Sequence, residues 1–243
     1  MHRSRPDRKT VLLFDIDGTL ITTGGAGYRA MKRAVAHTFD DQRSLDGIPV
    51  AGRTDSIILR DAMAVLGQPA LTADVRDRIR DTYCRFLFEE IDRVHGGPGV
   101  LPGVRELLGR LIDDPAFHIA LLTGNFSQSA QIKLGYFDLW RYFAWGAYGE
   151  DAVDRNDLLP VALDRYRGRT GQAIDASAVV IIGDTPNDVL VARTGGARSV
   201  GVTTGQYDRE ALIAAGADVV FHDLSDVDEV LRVFAGASPR RRP

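Results

Sequence analysis

The sequence predicts an α/β fold in which a doubly wound, mainly parallel, Rossmann-like sheet carries an inserted all-helical cap domain. Three observations support this prediction. Short apolar runs, typical of strands buried on both faces of a parallel sheet, recur along the chain. Segments with helical spacing alternate with these runs, as they do in doubly wound sheets. One long stretch near the N-terminus shows helical patterns and no convincing buried strand.

The apolar runs give the order of the predicted strands. The three strongest runs are residues 11–14, 119–122 and 179–182, and weaker ones follow at residues 199–202 and 219–221. Helical spacing between the runs is clearest in two sets of apolar residues, namely Val104, Leu107, Leu108 and Leu111, and Leu158, Leu159, Ala162, Leu163 and Tyr166.

The helical stretch lies between two glycine-rich segments, residues 24–27 and 96–99. Glycine and proline clusters at both ends of an insert indicate paired hinges or linkers. We therefore expect a Rossmann-like core formed by residues 1–21 and 98–243, with residues 22–97 inserted into it as a helical cap.

Composition and charge narrow the class of protein. The chain has 243 residues, of which 44% are hydrophobic and 26% charged, as is usual for globular proteins. A formal net charge of −3 gives no reason to expect nucleic acid or a membrane surface as a partner. Cys84 is the only cysteine, and residues 1–9 contain no signal-peptide core, so we expect a cytoplasmic protein. The basic segments at residues 1–9 and 239–243 are expected to be frayed ends, and the oligomeric state stays open.

Two aspartates follow the first predicted strand directly. Asp15 and Asp17 are two positions apart, so an extended backbone points both side chains to one side, at a strand end where α/β sheets bind ligands. Carboxylates this close repel each other unless a cation or a shared proton intervenes, and Mg²⁺ prefers such oxygen ligands. Asp15 is then a candidate nucleophile toward phosphorus, and Asp17 a candidate general acid and base. The competing interpretation is an ordinary turn, because Asp and Gly favour turns.

Two further polar segments follow later predicted strands. Asp184 comes directly after the third strong apolar run, and Asp188 lies one helical turn further on. Asp184 is a candidate metal ligand and Asp188 a candidate to steady a metal-bound water, roles compatible with an acidic helix start. Thr123, Gly124 and Asn125 follow the second strong run, where a hydroxyl and free backbone N–H groups can hold phosphate oxygens. Thr and Asn are also ordinary helix caps.

Three parts of the chain resemble motifs one, two and four of the haloacid dehalogenase-like hydrolases. In chain order they are the segment from Asp15 to Leu20, Thr123, and the segment from Asp184 to Asp188. The resemblance covers nearly the whole chain and includes a helical cap after the first motif, as in the phosphoglycolate phosphatase and β-phosphoglucomutase branch. It implies a Mg²⁺-dependent phosphatase that hydrolyses a small phosphorylated metabolite, with Asp15 as nucleophile and Asp17 as acid and base. The phosphate would be held by Thr123, Gly124 and Asn125, and the metal by Asp15, the main-chain oxygen of Asp17, Asp184 and Asp188.

Two arginines extend the site that the resemblance implies. The third motif of the family usually supplies a lysine that neutralises the phosphate and the nucleophile, and the best candidate here is Arg155. Arginine stays charged and can grip phosphate through two N–H groups, but it is bulkier than lysine. The competing interpretation is a solvent-facing arginine at a helix start. Related capped phosphatases often carry a Gly-Arg or Gly-Lys pair before a cap helix, which makes Arg53 a candidate substrate contact or, alternatively, a surface helix start.

Other activities on the same fold are alternatives. A phosphomutase uses the same Asp15 chemistry but passes the phosphoryl group to a sugar hydroxyl instead of water. A non-catalytic binding protein is favoured only by the arginine at position 155. Haloacid dehalogenation is disfavoured by the presence of Asp17, and phosphonate hydrolysis by the lack of an obvious cap lysine, since Lys32 is the sole candidate near the start of the insert.

Overall fold

The computed structural model describes residues 9–43, 45–93 and 99–238. The two expected frayed ends and the second glycine-rich hinge therefore lie wholly or almost wholly outside the described residues. A six-stranded sheet forms the centre of the fold, with the strand order β5-β4-β1-β6-β7-β8 and every neighbouring pair parallel. Its strands are β1 (Thr10–Phe14), β4 (Phe117–Leu122), β5 (Gly146–Ala147), β6 (Val179–Gly183), β7 (Arg198–Val202) and β8 (Val219–Phe221).

The central strand β1 is flanked by β4 and β6. Phe14, its last residue, pairs with Leu121 of β4 and with Ile182 of β6, so the three strands end at nearly the same level. Residues 12–14 of β1 are fully buried, as expected for a strand that is covered on both faces. The carboxyl ends of these strands therefore form one shared edge.

Helices cover both faces of the sheet. One face packs against α4 (Val104–Ile112), α5 (Ser127–Tyr136) and α9 (Val227–Phe234), and the other against α6 (Leu158–Thr170) and α7 (Pro186–Gly195). The four apolar residues of α4 that the sequence analysis placed at helical spacing all face the core, namely Val104, Leu107, Leu108 and Leu111. A shorter helix, α8 (Arg209–Ala215), connects β7 to β8, and short 3₁₀ helices at Trp140–Tyr142, Arg155–Asp157 and Ala176–Ala178 complete the core.

The inserted segment is helical. It leaves the core through β2 (Ile21–Thr22) and returns through β3 (Gly99–Val100), which pair antiparallel. Between them lie α1 (Ala26–Phe39), α2 (Asp55–Val65) and α3 (Ala73–Asp92), which share a hydrophobic cluster that also includes Phe126 of the core.

The predicted fold class, a doubly wound parallel sheet with a helical insert, is confirmed. In the part of the chain that the structure describes, every helix is either too short or too polar to cross a membrane.

Candidate active site

A cavity of about 470 Å³ lies between the carboxyl edge of the sheet and the helical insert. The core contributes charged and polar residues to its wall, and the insert contributes mainly apolar and aromatic ones. The core residues include Asp15, Asp17, Gly124, Asn125, Lys133, Arg155 and Asp184, and those of the insert include Tyr28, Met31, Leu45, Arg53, Asp55, Ile58 and Tyr83.

Asp15 lies at the centre of the sheet edge because it follows β1 directly. Its backbone N–H donates to the carbonyl oxygen of Ile182 at 2.9 Å, which extends the pairing of β1 with β6. The side chain is buried, and burial raises the pKa of Asp15 to about 6, although the nearby guanidinium of Arg155 acts in the opposite direction. Within the described chain, the Oδ1 atom of Asp15 has no hydrogen-bond partner. A buried carboxyl oxygen in this condition is a strong candidate for binding a cation or a reacting group.

Three carboxyl groups meet beside this atom. Asp15, Asp184 and Asp188 each offer one oxygen, and these oxygens lie within 4.8 Å of one another. Burial, followed by the negative charges of Asp188 and Asp15, raises the pKa of Asp184 to about 8. The close approach depends on glycine, because a Cβ atom at Gly205 would lie 1.7 Å from Oδ2 of Asp184 and one at Gly18 would lie 2.4 Å from it.

Arg155 supplies positive charge to this cluster. Its side chain is only 7% exposed, so it is not the solvent-facing arginine of the competing interpretation. Nη2 lies 3.2 Å from Oδ1 of Asp15 and donates a short hydrogen bond to Oδ1 of Asp188. Burial opposes the charge of the guanidinium, but Asp188 and Asp15 outweigh burial and raise the pKa of Arg155 above its ordinary value. The Nε atom of this buried side chain has no hydrogen-bond partner among the described residues.

Asp188 holds Arg155 in place. Its Oδ2 atom accepts hydrogen bonds from the backbone N–H of Thr185 at 3.1 Å and from the Thr185 hydroxyl at 2.7 Å, while Oδ1 accepts from Arg155. Thr185 and Asp188 form a capping box at the start of α7. Both oxygens of Asp188 thus have donors within the protein.

Asp17 is not part of the three-carboxylate cluster and has other partners. Its Oδ2 atom accepts hydrogen bonds from Nζ of Lys133 at 2.6 Å and from Nδ2 of Asn125 at 2.9 Å. The side chain of Asp17 is 41% exposed, and the residue lines the cavity. Asp15 and Asp17 therefore serve different parts of the site, although both follow the same strand.

The segment after β4 forms another part of the cavity wall. Thr123 is fully buried, and its hydroxyl oxygen accepts hydrogen bonds from Nδ2 of Asn125 at 2.8 Å and from the Asn125 backbone N–H at 3.3 Å. Gly124 and Asn125 line the cavity, whereas Thr123 lies behind them. A Cβ atom at Gly124 would lie 2.1 Å from the carbonyl oxygen of Arg53, so this close approach of the insert requires glycine.

Residues 52–56 of the insert dock onto the core beside the cavity. Nδ2 of Asn187 donates to the carbonyl oxygen of Gly52 at 2.9 Å, and the Thr54 hydroxyl donates to that of Val153 at 2.9 Å. The backbone N–H of Asp55 donates to the carbonyl oxygen of Gly124 at 2.7 Å. The insert therefore covers the carboxyl edge of the sheet in this conformation.

Arg53 lies within this docked segment and lines the cavity. Its guanidinium binds Oδ2 of Asp61 at 2.5 Å and the carbonyl oxygen of Pro49 at 2.8 Å. Arg53 therefore lies at the cavity wall, with its guanidinium paired to a carboxylate of the insert.

Comparison with known proteins identifies the family of the chain. The model of the haloacid dehalogenase-like hydrolases matches residues 12–193, which include Asp15, Thr123, Arg155, Asp184 and Asp188. The chain belongs to the haloacid dehalogenase-like hydrolases. This confirms the resemblance found in the sequence.

Individual members of the family resemble the chain over nearly its whole length. The protein named phosphoglycolate phosphatase from Caulobacter vibrioides is 30% identical over 238 residues, covering 94% of this chain and 93% of the relative. The protein named probable phosphatase IndB from Dickeya dadantii is 27% identical over 225 residues, covering 90% and 92%. A Thermotoga maritima structure described as a candidate β-phosphoglucomutase shares the fold with a TM-score of 0.58 and 23% identity, covering 92% of this chain and 99% of its own.

The cluster of Asp15, Asp184 and Asp188 fits the divalent metal that phosphatases of this superfamily generally use. The three carboxyl groups are buried, and Arg155 is the one cation among the described residues that pairs with them. Two observations indicate negative charge that a bound cation would compensate. Oδ1 of Asp15 accepts no hydrogen bond from the described residues, and the pKa of Asp184 is raised. The donor set consists of oxygen atoms only, as hard cations prefer.

Two buried charged residues of the cavity were missed by the sequence analysis, Lys133 and Asp55. A signal for Lys133 was available, because the chain contains only three lysines among its 30 basic residues and this one lies at helical spacing from Ala130 and next to Leu134. No comparable signal marked Asp55, since an aspartate after Thr54 reads as an ordinary helix start.

Proposed function

We propose that this member of the haloacid dehalogenase-like hydrolases is a Mg²⁺-dependent phosphatase that hydrolyses a small phosphate monoester through an aspartyl-phosphate on Asp15. The observation that carries the proposal is the buried Oδ1 atom of Asp15, which has no hydrogen-bond donor in the described chain and lies 3.2 Å from the Arg155 guanidinium. A carboxylate beside a buried cation at a cavity wall is suited to attack an anionic phosphoryl group. The relatives that are named phosphatases support the same reaction class.

The chemistry takes place in two displacements. In the first, a carboxylate oxygen of Asp15 forms a bond to phosphorus, the bond from phosphorus to the ester oxygen breaks, and Asp17 gives its proton to the departing alkoxide. In the second, a water molecule attacks the phosphorus, Asp17 takes a proton from it, and the phosphorus–oxygen bond to Asp15 breaks. The second displacement releases phosphate and restores both aspartates.

The phosphoryl group is held by cationic and hydrogen-bonding groups around Asp15. We assign this role to Arg155 and to the segment of Thr123, Gly124 and Asn125. Arg155 carries its charge within the buried cluster, and Gly124 and Asn125 lie at the cavity wall. Thr123 lies behind the cavity wall. Burial raises the pKa of Asp15, and hydrogen bonding by the Thr123 hydroxyl lowers it by a smaller amount.

Mg²⁺ is the metal that we propose for the carboxylate cluster, held by Asp15, Asp184, Asp188 and the main-chain oxygen of Asp17. When bound, it supplies positive charge that offsets the repulsion between the phosphate and the carboxylates. Asp188 already accepts three hydrogen bonds from Arg155 and Thr185, so it would place Arg155 and steady a water beside the metal.

Residues 22–97 are proposed to act as the cap of this site and residues 1–21 and 98–243 as its catalytic core. Docking of residues 52–56 onto the sheet edge would keep bulk water from the aspartyl-phosphate. Arg53 is proposed to contact the substrate from the cap, exchanging its bond to Asp61 for one to the substrate. Because Cys84 is the only cysteine, no disulfide can form within the chain, and we also propose a cytoplasmic location.

Phosphate release tests the proposal. The wild-type protein and Asp15→Asn are assayed with p-nitrophenyl phosphate and a panel of phosphorylated metabolites, with Mg²⁺ or with EDTA. We expect release that requires Mg²⁺ and that the substitution abolishes. If a sugar phosphate is isomerised without free phosphate, the activity is that of a mutase. If no compound of the panel turns over although Mg²⁺ binds, the protein is a binding protein on this fold.

A further inference from the structure

Lys133 is a buried lysine with no role in the reaction steps proposed above. It lies on α5, one turn before the end of the helix, and its side chain is only 5% exposed. Burial of an ammonium group is unfavourable unless charged or polar partners replace the lost water. Two partners are present, because Nζ donates to Oδ2 of Asp17 and to Oδ1 of Asn125, both at 2.6 Å.

These contacts form a closed triangle. Asn125 accepts from Lys133 through Oδ1 and donates to Oδ2 of Asp17 through Nδ2 at 2.9 Å. Each of the three side chains is therefore fixed by the other two. A hydrogen-bonded network of this kind, when every member has a partner, holds its groups in one arrangement.

The triangle determines which oxygen of Asp17 faces the reaction. Both Lys133 and Asn125 donate to Oδ2, and no side chain of the described residues donates to Oδ1. Rotation of the carboxyl group would break both hydrogen bonds, and the one from Lys133 is also an ion pair. Oδ1 is thus the oxygen left for proton exchange in the cavity.

Lys133 is also separate from the other buried cation of the site. Arg155 pairs with Asp15 and Asp188, whereas Lys133 pairs with Asp17. The insert closes over the lysine, since a Cβ atom at Gly27 of α1 would lie 3.1 Å from Nζ and 3.3 Å from Cε. The two cations therefore serve the two aspartates that follow β1, one cation each.

We propose that Lys133 is the positioning residue for the acid and base Asp17, and that it acts on the departure of the leaving group. The proposal rests on the phosphatase function proposed above. Protonation by Asp17 matters most when the departing oxygen is strongly basic, and least when a stabilised phenolate leaves without a proton. Loss of Lys133 must therefore slow the hydrolysis of esters of basic alcohols more than the hydrolysis of esters of acidic phenols.

The test compares Lys133→Met with the wild type on dinitrophenyl, p-nitrophenyl and phenyl phosphate. We expect kcat/KM of the variant to fall about tenfold or more with phenyl phosphate and less than about twofold with dinitrophenyl phosphate. Lys32→Met is the matched control, because Lys32 pairs with Asp46 at the exposed surface of the insert and does not line the cavity. It should show the wild-type rates with all three esters.

The same substitution in an Asp17→Asn background tests whether Lys133 acts through Asp17. There the loss with phenyl phosphate should shrink to less than about twofold. An equal loss with all three esters, or an undiminished loss in the Asp17→Asn background, would overturn the proposal. Lys133→Gln replaces Lys133→Met if thermal unfolding shows that the latter is not folded. Failure of the phosphatase proposal would appear separately, as activity that survives in Asp15→Asn.

Discussion

Arg155 and Asp15 form a buried ion pair of 3.2 Å at the carboxyl edge of the central sheet. The same Nη2 atom also donates to Asp188, so one guanidinium pairs with a carboxylate that follows β1 and with one in the first turn of α7. A lysine at this position would offer a single ammonium group on a differently shaped stem. The arginine is therefore part of a network with Asp188, and its role goes beyond neutralising phosphate.

Substitution of Arg155 should separate charge from geometry. Arg155→Met leaves two buried carboxylates without their cation, which we expect to lower kcat/KM about a thousandfold and to destabilise the fold by about 3–5 kcal/mol. Arg155→Lys keeps the charge but cannot reproduce both contacts, so we expect a loss of about tenfold in kcat/KM. Steady-state kinetics and urea unfolding measure the two effects. Equal activity of Lys and Met variants would contradict a role for the charge.

The close contact of Gly205 with Asp184 gives a second prediction. A Cβ atom at this position would lie 1.7 Å from Oδ2 of Asp184, so Gly205→Ala must displace the carboxylate from the cluster. We expect the affinity for Mg²⁺ to fall about tenfold or more, as measured by calorimetric titration. Gly109→Ala is the control, because Gly109 lies in α4 with no atom within 4 Å of an added Cβ, and it should bind Mg²⁺ like the wild type. An unchanged affinity in Gly205→Ala would show that Asp184 does not hold the metal.

The sequence predicted the parts of the fold and site that depend on local patterns. Asp15, Thr123 and Asp184 each follow an apolar run, and parallel strands that end together bring such residues to one edge, as observed. The direction in which Asp17 points was not predictable in this way. Its partner Lys133 lies on a helix 116 residues further along the chain. Nothing in the spacing of Asp15 and Asp17 indicates that their carboxylates would take separate cations.

The burial of Asp55 could not be read from the sequence for a related reason. Residues 52–56 carry the signals of a helix start, and Thr54 does cap α2 by accepting from the backbone N–H of Ile57. Whether such a helix start faces solvent or docks on another part of the chain depends on long-range contacts. Here the docking on Gly124 and Phe126 decides it.

The pKa of Asp184 predicts how Mg²⁺ binding depends on pH. Burial and the neighbouring carboxylates raise this pKa to about 8 in the metal-free protein, so below that pH the carboxyl group carries a proton that a cation must displace. The affinity for Mg²⁺ should therefore rise with pH up to about 8 and change little above it. Calorimetry at pH 6, 7, 8 and 9 in buffers of different ionisation enthalpy would measure both the affinity and the protons released. A constant affinity between pH 6 and 8 would contradict the prediction.

The raised pKa of Asp55 predicts that the free energy of unfolding depends on pH. Its carboxyl group is buried, and Oδ2 accepts from the backbone N–H of Phe126 at 2.9 Å. Burial raises the pKa of Asp55 from its ordinary value of 3.8 to about 7, while Lys133 and the Phe126 hydrogen bond act in the opposite direction. Between these two pH values, the folded state holds a proton that the unfolded state has lost. The free energy of unfolding must then decrease as the pH rises from about 4 to about 7, and it must level off above.

Asp55→Asn isolates this contribution, because the amide does not titrate and its oxygen can still accept from Phe126. Asp15 and Asp184 also have raised pKa values, but they are present in both proteins, so their contributions cancel when the two stabilities are compared. We expect the two proteins to be nearly equal in stability at pH 4, and the variant to be more stable at pH 8 by a few kcal/mol at most. Urea unfolding at both pH values measures the difference. If the two stabilities instead run parallel from pH 4 to 8, the carboxylate of Asp55 is solvated when it ionises, and the insert must move away from Gly124 and Phe126 as the pH rises.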